Sequence, residues 1–543
     1  MATGKALDGK PYAGNPHVRF DEGEVAPAAT PRRGSLLYKE FIESGKAVMG
    51  IEFGSTRIKA VLIDDNFKVI AQGAHDWENQ LVDGVWSYSL EAIEAGVRDA
   101  YAKCAADVTA KYGAKLTKLA ALGISGMMHG YLPFDAVGKL LTPFRTWRNV
   151  MTAQAAAELS DLFTFNVPQR WSVAHYTQAI LNQEPHVPAV RWLTTLAGYV
   201  HYRLTGENVM GVGEASGMFP IDPATGTYNA RMMKAFEAKC GPLEEKLPKV
   251  LKAGEKAGVL TDRGAAWLDP TGTLQAGAVM APPEGDAGTG MVATNAVAPK
   301  TGNVSAGTSI FAMLVLENAM KGYYPEIDVV TTPTGHEVAM VHCNNCTNEI
   351  NAWMPLFGND YRRFFQASLQ GAPDCGGVVV VPFLSGEPVA GVADAMLRVV
   401  RKPGADFTFE NFARAQIYSA FVSLKLGMDI LSRENVTVES LMGHGGIFKD
   451  KGIAQQYLAD ALKTSVTCMS TATEGGPWGM AVLAAFAARN EECKMKNEKC
   501  EELEAFLNRE VFAGAASETL APTAEGMAGF DRYAANFKEA IHA

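Results

Sequence analysis

The chain has 543 residues, 48% of them hydrophobic and 20% charged, which is typical of a globular protein with at least two domains. Its net charge of −10 argues against nucleic acid or an anionic membrane as a partner. No apolar run reaches the roughly 20 residues that span a bilayer, and eight scattered cysteines favour a reduced, cytoplasmic protein.

The N-terminal part of the chain contains an extension followed by a strand–turn–strand pattern. Residues 1–47 have no apolar secretory core and are predicted to lie over the first domain or to be partly disordered. Two apolar strands follow within Val48–Asp64, joined by a turn that contains Gly54, Ser55 and Thr56. Because glycine permits close backbone approach and hydroxyls flank it, this turn is suited to holding phosphate oxygens.

The first half then alternates strands and helices. The predicted elements are a third strand at Phe67–Gly73, a helix at Leu90–Tyr112 ending at Gly113, a buried strand at Leu119–Ser125 that enters the loop Gly126–Gly130, short strands at Tyr131–Phe134 and Pro143–Trp147, and helices from Thr152 to Leu204.

The strand–turn–strand pattern returns at Thr301–Glu317, with Gly307 and Thr308 in the turn. This near-repeat predicts an α/β fold in two related domains, residues 48–297 and 298–543, with two hairpins that grip a polyphosphate from both sides. Further predicted elements are the strand and loop Val378–Glu387, a helix at Asn411–Leu431, the strand and glycine turn Leu441–Gly446, a helix at Ile453–Thr464, a helix after Glu474–Gly479, and a charged helical stretch at Glu491–Val511.

Several acidic and basic residues near these turns are candidates for phosphoryl-transfer chemistry. The chain contains no P-loop motif, so hairpin backbones would have to hold ATP. Asp286 stands among glycines at a helix start, where it is either a helix N-cap or the base that accepts a proton from an attacking hydroxyl. Glu52 is either an Mg²⁺ ligand or a solvated strand-end acid, and Lys59 is either a phosphate contact or an exposed strand lysine.

Other residues are ambiguous on sequence alone. His129 is either a sugar contact or a structural histidine, and Trp147 either stacks on a sugar face or fills the core. Cys343 and Cys346 have the spacing of a zinc or redox pair, but no second pair lies near them in the sequence. We interpret them as core cysteines, with a zinc or redox protein as a distant alternative.

In their order and spacing, the motifs of this chain resemble the FGGY family of carbohydrate kinases, in the actin-like, ribonuclease-H-like ATPase superfamily. The matching segments are Gly50–Thr56, Ile124–Gly130 (similar to the loop of xylulokinase-like members), Gly285–Asp286, Ser305–Ser309, Val381–Glu387 and Gly443–Gly446. The resemblance implies two ribonuclease-H-like domains with a cleft between them, in which ATP and Mg²⁺ serve to phosphorylate a sugar hydroxyl.

The resemblance also implies a role for each candidate residue. Asp286 would be the catalytic base and, with Glu52, a metal ligand. The sugar would contact Met128, His129, Trp147 and Asp286. ATP would contact Gly54, Ser55, Thr56, Lys59, Gly307, Thr308, Gly445, Gly446 and Lys449.

Four positions depart from the family pattern. Glu52 replaces an aspartate, Ala287 an asparagine or glutamine, Asn149 an aspartate and Met127 a glutamine. Three of these positions are expected to bear on sugar contacts. The resemblance therefore does not fix xylulose as the substrate. The loop Met128–Gly130 favours a ketose over glycerol, and we expect a ketopentose such as xylulose or ribulose first, with a hexulose or deoxyketose second.

The expected partners are a small sugar and ATP, without nucleic acid or membrane, and a homodimer is one open alternative for the oligomeric state. A second functional hypothesis is an actin-like ATP-binding protein or ATPase with a regulatory role and no sugar kinase activity.

Overall fold

The computed structural model describes residues 32–450, 452–469 and 475–543. The prediction for residues 1–31 of the extension lies outside this range. Helix α1, Arg32–Glu43, lies over the first sheet, because the Tyr38 hydroxyl donates a hydrogen bond to Asp64 at 2.9 Å and the Tyr38 ring packs against Tyr112.

Fourteen strands form within the described residues of the first half. They are β1 Val48–Phe53, β2 Arg57–Ile63, β3 Val69–Asp76, β4 Gln80–Val82, β5 Val85–Ser87, β6 Ala121–Gly126, β7 Leu132–Phe134, β8 Trp192–Thr194, β9 Val209–Gly211, β10 Ile221–Asp222, β11 Thr227–Tyr228, β12 Lys249–Leu251, β13 Val279–Met280 and β14 Glu284–Gly285.

In the second half the described strands are β15 Thr301–Ala306, β16 Ile310–Val315, β17 Ile327–Thr331, β18 Glu337–Cys343, β19 Val378–Phe383, β20 Met396–Arg401, β21 Ser440–His444, β22 Ser465–Met469 and β23 Ser517–Leu520.

The two main sheets have the same core order. The first runs β13-β6-β1-β2-β3, with β14 also paired to β6, and the second runs β17-β18-β16-β15-β21-β22-β23. In both, an antiparallel hairpin (β1–β2, β15–β16) continues into a third antiparallel strand (β3, β18) and is flanked by two parallel strands (β6 and β13, β21 and β22). The predicted α/β fold in two related halves is confirmed.

Helices cover both sheets. The remaining described α-helices are α2 Leu90–Tyr112, α3 Ala153–Phe163, α4 Ser172–Leu181, α5 Leu196–Thr205, α6 Val212–Ala215, α7 Ala230–Cys240, α8 Asp262–Leu268, α9 Asp286–Ala293, α10 Asn348–Trp353, α11 Tyr361–Ser368, α12 Phe409–Arg433, α13 Ile453–Leu462, α14 Gly475–Met495, α15 Leu503–Phe506 and α16 Ala524–His542. Among the described residues, no helix combines the length and apolar character needed to cross a membrane.

Helix α14 comes from the second half of the sequence but packs on the first sheet. A β-carbon at Gly50 of β1 would lie 2.1 Å from the carbonyl oxygen of Pro477, so β1 and α14 touch backbone to backbone. At Gly479, a β-carbon would lie 2.1 Å from the carbonyl oxygen of Thr289 in α9. The two helices and β1 therefore form a close-packed junction between the halves.

The predicted helix Leu90–Tyr112 is confirmed as α2, which ends where Gly113 takes a left-handed conformation. The predicted strand Pro143–Trp147 is wrong: this segment makes only an isolated bridge, between Arg145 and Tyr131. The stretch Glu491–Val511 is helical only in parts, because α14 ends at Met495 and a short α-helix and π-helix resume at Leu503.

Candidate functional site

Three parallel strands of the first sheet bring acidic residues to one edge. Glu52 of β1 pairs with Ser125 of β6, and Ser125 pairs with Glu284 of β14. Beyond this row the chain of β14 turns into α9, whose first residue is Asp286. The sheet therefore places a carboxylate at the point where β6 enters the loop Gly126–Gly130.

Asp286 is exposed at this edge although protein surrounds it closely. Its Oδ1 accepts hydrogen bonds from the N–H of Ala287 at 2.9 Å and from the N–H of Met128 at 3.4 Å. Desolvation by the surrounding protein raises the pKa of Asp286 to about 6, and these two N–H groups limit the rise. Such a group is a suitable proton acceptor near neutral pH.

Glu52 is held close to the same point. Its Oε2 is buried and has no hydrogen-bond partner among the described residues. Burial, with a smaller contribution from the charge of Asp286, raises the pKa of Glu52 to about 8, and Lys59 on the neighbouring strand opposes the rise. The structure thus brings Glu52, Lys59 and Asp286 within electrostatic reach of one another.

The first turn, Gly54–Thr56, joins β1 to β2. Ser55 and Thr56 are exposed, and the Gly54 N–H bonds to the carbonyl oxygen of Arg57 at 3.0 Å. The turn therefore follows directly from the strand that carries Glu52.

The second turn, Gly307–Ser309, joins β15 to β16, and its Gly307 and Thr308 are exposed. Gly445 and Gly446 follow β21, the parallel neighbour of β15, and are also exposed. Gly445 has φ +120°, and a β-carbon there would lie 2.1 Å from the carbonyl oxygen of Ala306, so only glycine fits. No atom would lie within 4 Å of a β-carbon at Gly446.

Five of the predicted nucleotide contacts are thus neighbours. Gly307, Thr308, Gly445 and Gly446 lie together at the ends of β15 and β21, and the exposed Lys449 follows the short 3-10 helix Gly446–Phe448.

The loop after β6 surrounds a buried imidazole. His129 has φ +71°, and its Nδ1 lies 3.3 Å from the carbonyl oxygen of Gly217. Burial, and then the nearby Arg170 guanidinium, hold the pKa of His129 well below its usual value, so the ring is neutral at pH 7. Met128 is connected to Asp286 through its backbone. The predicted sugar loop and the predicted base are therefore in contact.

The segment around Trp147 combines an exposed tryptophan with a buried asparagine. Trp147 is 41% exposed. Asn149 is buried, accepts a hydrogen bond from the N–H of Trp86 at 2.9 Å and donates one to its carbonyl oxygen at 2.8 Å. Met127 is also buried, with its sulfur 4.0 Å from the Tyr88 hydroxyl. Asn149 and Met127, two of the departures from the family pattern, thus contact residues in β5 and next to it.

Sequence reasoning missed two buried carboxyl groups beside the base. Glu284 accepts hydrogen bonds from the N–H groups of Gly213 and Glu214 at the start of α6, and burial raises its pKa to about 8. Glu214 is 0% exposed, and a β-carbon at Gly285 would lie 2.5 Å from its Oε2. An acidic residue flanked by small residues, as in Gly213–Gly217, was the only sequence signal.

A third missed residue, Arg170, joins the loop Gly126–Gly130 to the second half of the chain. The carbonyl oxygen of Arg170 accepts a hydrogen bond from the Gly130 N–H at 3.2 Å, and its guanidinium forms an ion pair with Asp328 of β17. Asn166 also donates to Asp328, at 2.8 Å.

The segment Cys343–Thr347 supports the second turn. Cys343 and Cys346 are buried free thiols whose pKa is raised by burial, as expected of core cysteines. The Cys346 N–H bonds to the carbonyl oxygen of Thr308 at 3.0 Å, and the Thr347 hydroxyl bonds to that of Gly307 at 2.7 Å.

The motif Val381–Glu387 anchors this segment in turn. Buried Glu387 accepts hydrogen bonds from the N–H groups of Asn344 and Asn345 at 3.3 and 3.2 Å, and the Asn345 side chain bonds to the backbone of Leu384 and Ser385. The motif therefore does not contact the second turn through these bonds. It holds the segment Cys343–Thr347, which in turn binds the carbonyls of Gly307 and Thr308.

Comparisons with known proteins match both halves of the chain. The family model for the N-terminal domain of the FGGY family of carbohydrate kinases matches residues 47–273, and the model for its C-terminal domain matches residues 302–488. A xylulose kinase of Haemophilus influenzae is 23% identical over 459 residues, which cover 81% of this chain and 90% of that protein.

Two solved structures from Lactobacillus acidophilus show the same fold. A ligand-bound xylulose kinase and a gluconate kinase each superpose with a TM-score of 0.75 at 17% identity, covering 92% of this chain and 98% of theirs. Because these two structures match equally well, the fold does not distinguish their substrates.

Proposed function

The chain belongs to the FGGY family of carbohydrate kinases and phosphorylates a sugar hydroxyl; on this basis we propose that its acceptor is a ketopentose such as xylulose or ribulose, with Mg²⁺ and ATP as the phosphoryl source. Xylulose kinases are prominent among the relatives similar in sequence. The single observation that best supports a sugar acceptor is the contact of Asp286 with the Met128 N–H, since it joins a base to the loop expected to hold the sugar.

Asp286 acts as the general base in this proposal. A sugar hydroxyl has a pKa far above neutral, so it becomes a better nucleophile when a carboxylate takes its proton as the new P–O bond forms. The N–H groups of Met128 and Ala287 fix Oδ1, and the raised pKa brings the carboxylate closer to the optimum for accepting a proton at neutral pH. The base is therefore held in place before the substrate arrives.

The two turns bind the polyphosphate. Ser55 and Thr56 of the first turn, with Lys59 on the strand that follows, offer hydroxyls, backbone N–H groups and a positive charge. Gly307 and Thr308 of the second turn adjoin Gly445 and Gly446, where the open space above Gly446 accommodates the adenosine. Each half of the chain thus contributes one phosphate contact surface.

The acidic residues fit a magnesium ion. Oε2 of Glu52 has no partner among the described residues, and Asp286 is near enough to raise its pKa. Mg²⁺ is commonly held by one or two carboxylates together with phosphates and several waters. Glu52 and Asp286 would hold the ion, which supplies positive charge against the phosphate oxygens when bound.

The sugar class is inferred from the loop and from the relatives. The neutral imidazole of His129 is held by the carbonyl oxygen of Gly217 and can form one hydrogen bond with a sugar hydroxyl. Met128 offers an apolar surface beside it. Ala287 lacks the amide expected after the base, so fewer polar groups contact the acceptor from that side. This pocket suits a small ketose, and a hexulose or deoxyketose is the second choice.

The test is ADP release by purified protein with Mg-ATP, measured against a panel of ketopentoses, hexuloses, polyols and gluconate. We expect turnover stimulated by xylulose or ribulose, with the sugar phosphate identified by mass spectrometry. Turnover that is independent of every sugar would instead support the ATPase hypothesis, and stimulation by gluconate alone would overturn the proposed acceptor.

A further inference from the structure

Two aromatic side chains, Trp77 and Tyr88, donate hydrogen bonds to backbone carbonyls of the first turn, Gly54–Thr56. Trp77 Nε1 donates to the carbonyl oxygen of Gly54 at 2.8 Å, and the Trp77 backbone N–H donates to that of Thr56 at 3.1 Å. The Tyr88 hydroxyl donates to the carbonyl oxygen of Ser55 at 2.5 Å. Every carbonyl of the turn therefore has a protein donor.

This arrangement determines the direction of the turn's N–H groups. In a planar trans peptide the C=O and N–H bonds point in opposite directions. A donor that holds the carbonyl of Gly54 therefore also orients the N–H of Ser55, and the carbonyl of Ser55 orients the N–H of Thr56. A carbonyl that rotated towards a phosphate would repel it, and the two aromatic donors prevent that rotation.

The two side chains are well placed for this role. Trp77 and Tyr88 are buried, and their rings stack with centroids 4.0 Å apart and 22° between the planes. The Trp77 ring also packs against Phe53, the last residue of β1. Tyr88 directly precedes Ser89, whose side chain caps α2 by accepting from the N–H of Ala92. Both donors therefore rest on fixed backbone.

The segment between the two aromatic residues also contacts the loop around Trp147. It contains β4 and β5, and the backbone of Trp86 in β5 is bound by Asn149. The Arg148 guanidinium lies over the Trp86 ring at 3.9 Å. One hairpin therefore connects the acceptor side of the site with the phosphate turn.

We propose that Trp77 and Tyr88 are positioning residues for phosphoryl transfer, which bind the carbonyls of Gly54–Thr56 and so aim the N–H groups of this turn at the phosphates of ATP. The proposal rests on the proposed function, because it assigns the phosphates to that turn.

The test compares Tyr88→Phe and Trp77→Phe with a matched control, Tyr112→Phe. The control removes a hydroxyl that bonds to the carbonyl oxygen of Ile70 at 3.0 Å in the same half, away from the turn. For each folded variant, kcat and KM are measured separately for Mg-ATP and for the sugar, and the Kd for the non-hydrolysable analogue AMP-PNP with Mg²⁺ is measured without sugar.

We expect Tyr88→Phe to lower kcat/KM for ATP and to weaken AMP-PNP binding by about tenfold each, the usual size for loss of one buried hydrogen bond. The KM for sugar should stay within about twofold of the unaltered value, as for the control. Unchanged ATP parameters in folded Tyr88→Phe, or an equal loss in Tyr112→Phe, would overturn the proposal. If Tyr88→Phe does not fold, Trp77→Phe decides by the same criteria.

These measurements separate the two proposals. If the unaltered protein binds AMP-PNP but phosphorylates no sugar of the panel, the proposed function fails. The comparison of AMP-PNP affinities then still decides whether Trp77 and Tyr88 orient the turn.

Discussion

Glu52 and Gly476 meet where the two halves of the chain join: a β-carbon at position 476 would lie 1.6 Å from Oε2 of Glu52. The carboxylate belongs to the first hairpin and the glycine to the first turn of α14. The absence of a side chain at 476 is therefore a condition for the present position of Glu52.

Gly476→Ala is expected to displace the Glu52 carboxylate from its present position. We expect kcat to fall by about tenfold or more, because a small misplacement of a group in an active site slows the reaction by such factors. Adding Glu52→Asp should restore part of the rate, because the shorter side chain withdraws its carboxylate from the new methyl group. Gly290→Ala in α9 is the control, since no atom lies within 4 Å of its β-carbon position. Steady-state kinetics of the four proteins check this, and full activity in Gly476→Ala would contradict it.

Asp286→Asn should lower kcat by about 10²–10⁴-fold, because the amide cannot accept the proton of the acceptor hydroxyl. The unfolding midpoint should change little, since the amide oxygen still accepts from the Met128 and Ala287 N–H groups. AMP-PNP binding measured without Mg²⁺ should also change little, because it does not use Asp286 as a metal ligand. Kinetics, AMP-PNP titration and thermal unfolding are the measurements. If more than about a tenth of the rate remained, a different group would be the base.

The rate should depend on the protonation of Asp286. Its pKa is raised, mainly by desolvation, to about 6, and only the ionised form accepts a proton. We therefore expect kcat/KM to fall as the pH decreases through about 6. A pH–rate profile with saturating Mg-ATP measures this. A fall that begins only near pH 4, the ordinary range of an aspartate, would show that the site does not raise the pKa.

Glu284→Gln tests the thermodynamic consequence of a buried carboxyl group. The folded protein raises the pKa of Glu284 from 4.5 to about 8, mainly through burial, so the folded state holds a proton that the unfolded chain releases at neutral pH. The stability that this proton contributes is full below pH 4.5 and is lost as the pH rises through 8. As the pH rises from 5 to 9, the unaltered protein loses this stability and Glu284→Gln does not. The unfolding midpoint of Glu284→Gln should therefore rise relative to that of the unaltered protein over this range. A constant difference across this range would contradict the prediction.

Thr347→Val removes the hydroxyl that binds the carbonyl oxygen of Gly307 while keeping a β-branched side chain. We expect kcat/KM for ATP to fall about three- to tenfold, because the second turn loses one of its supporting bonds, with the KM for sugar unchanged. Thr177→Val is the control, since that hydroxyl bonds to its own helix at the carbonyl oxygen of Val173. Equal effects in the two variants would show that the loss is not specific to the turn.

The hairpins and α2 could be predicted from the sequence because their signals are local. In β1 and β2 the apolar residues border a turn of glycine and hydroxyl residues, and α2 ends at a glycine. The repeat of the first pattern about 250 residues later was also visible, and the two sheets that contain the repeated hairpins have the same core order. The family resemblance then assigned the candidate roles.

Other features depend on contacts between distant segments. Asn149 was visible in the sequence only as a departure from the aspartate of the family pattern, and its amide pairs with the backbone of Trp86, 63 residues away. Glu214 becomes a buried acid only because α6 packs beneath Gly285. The Pro143–Trp147 segment has the apolar character of a strand, yet within the described residues its only β-bridge is the one between Arg145 and Tyr131. Neither the secondary-structure propensity of a segment nor the period of its apolar residues shows which distant segment it will contact.

The position of α14 has a consequence for biosynthesis. The Trp478 indole N–H bonds to the carbonyl oxygen of Phe67 at 2.7 Å, across 411 residues of sequence, and the same helix covers β1. A nascent chain that has just left the ribosome with its first sheet complete therefore still exposes an apolar face, which stays open until residues beyond 480 emerge. Such distant pairing slows folding and leaves that face available to chaperones or to aggregation during translation.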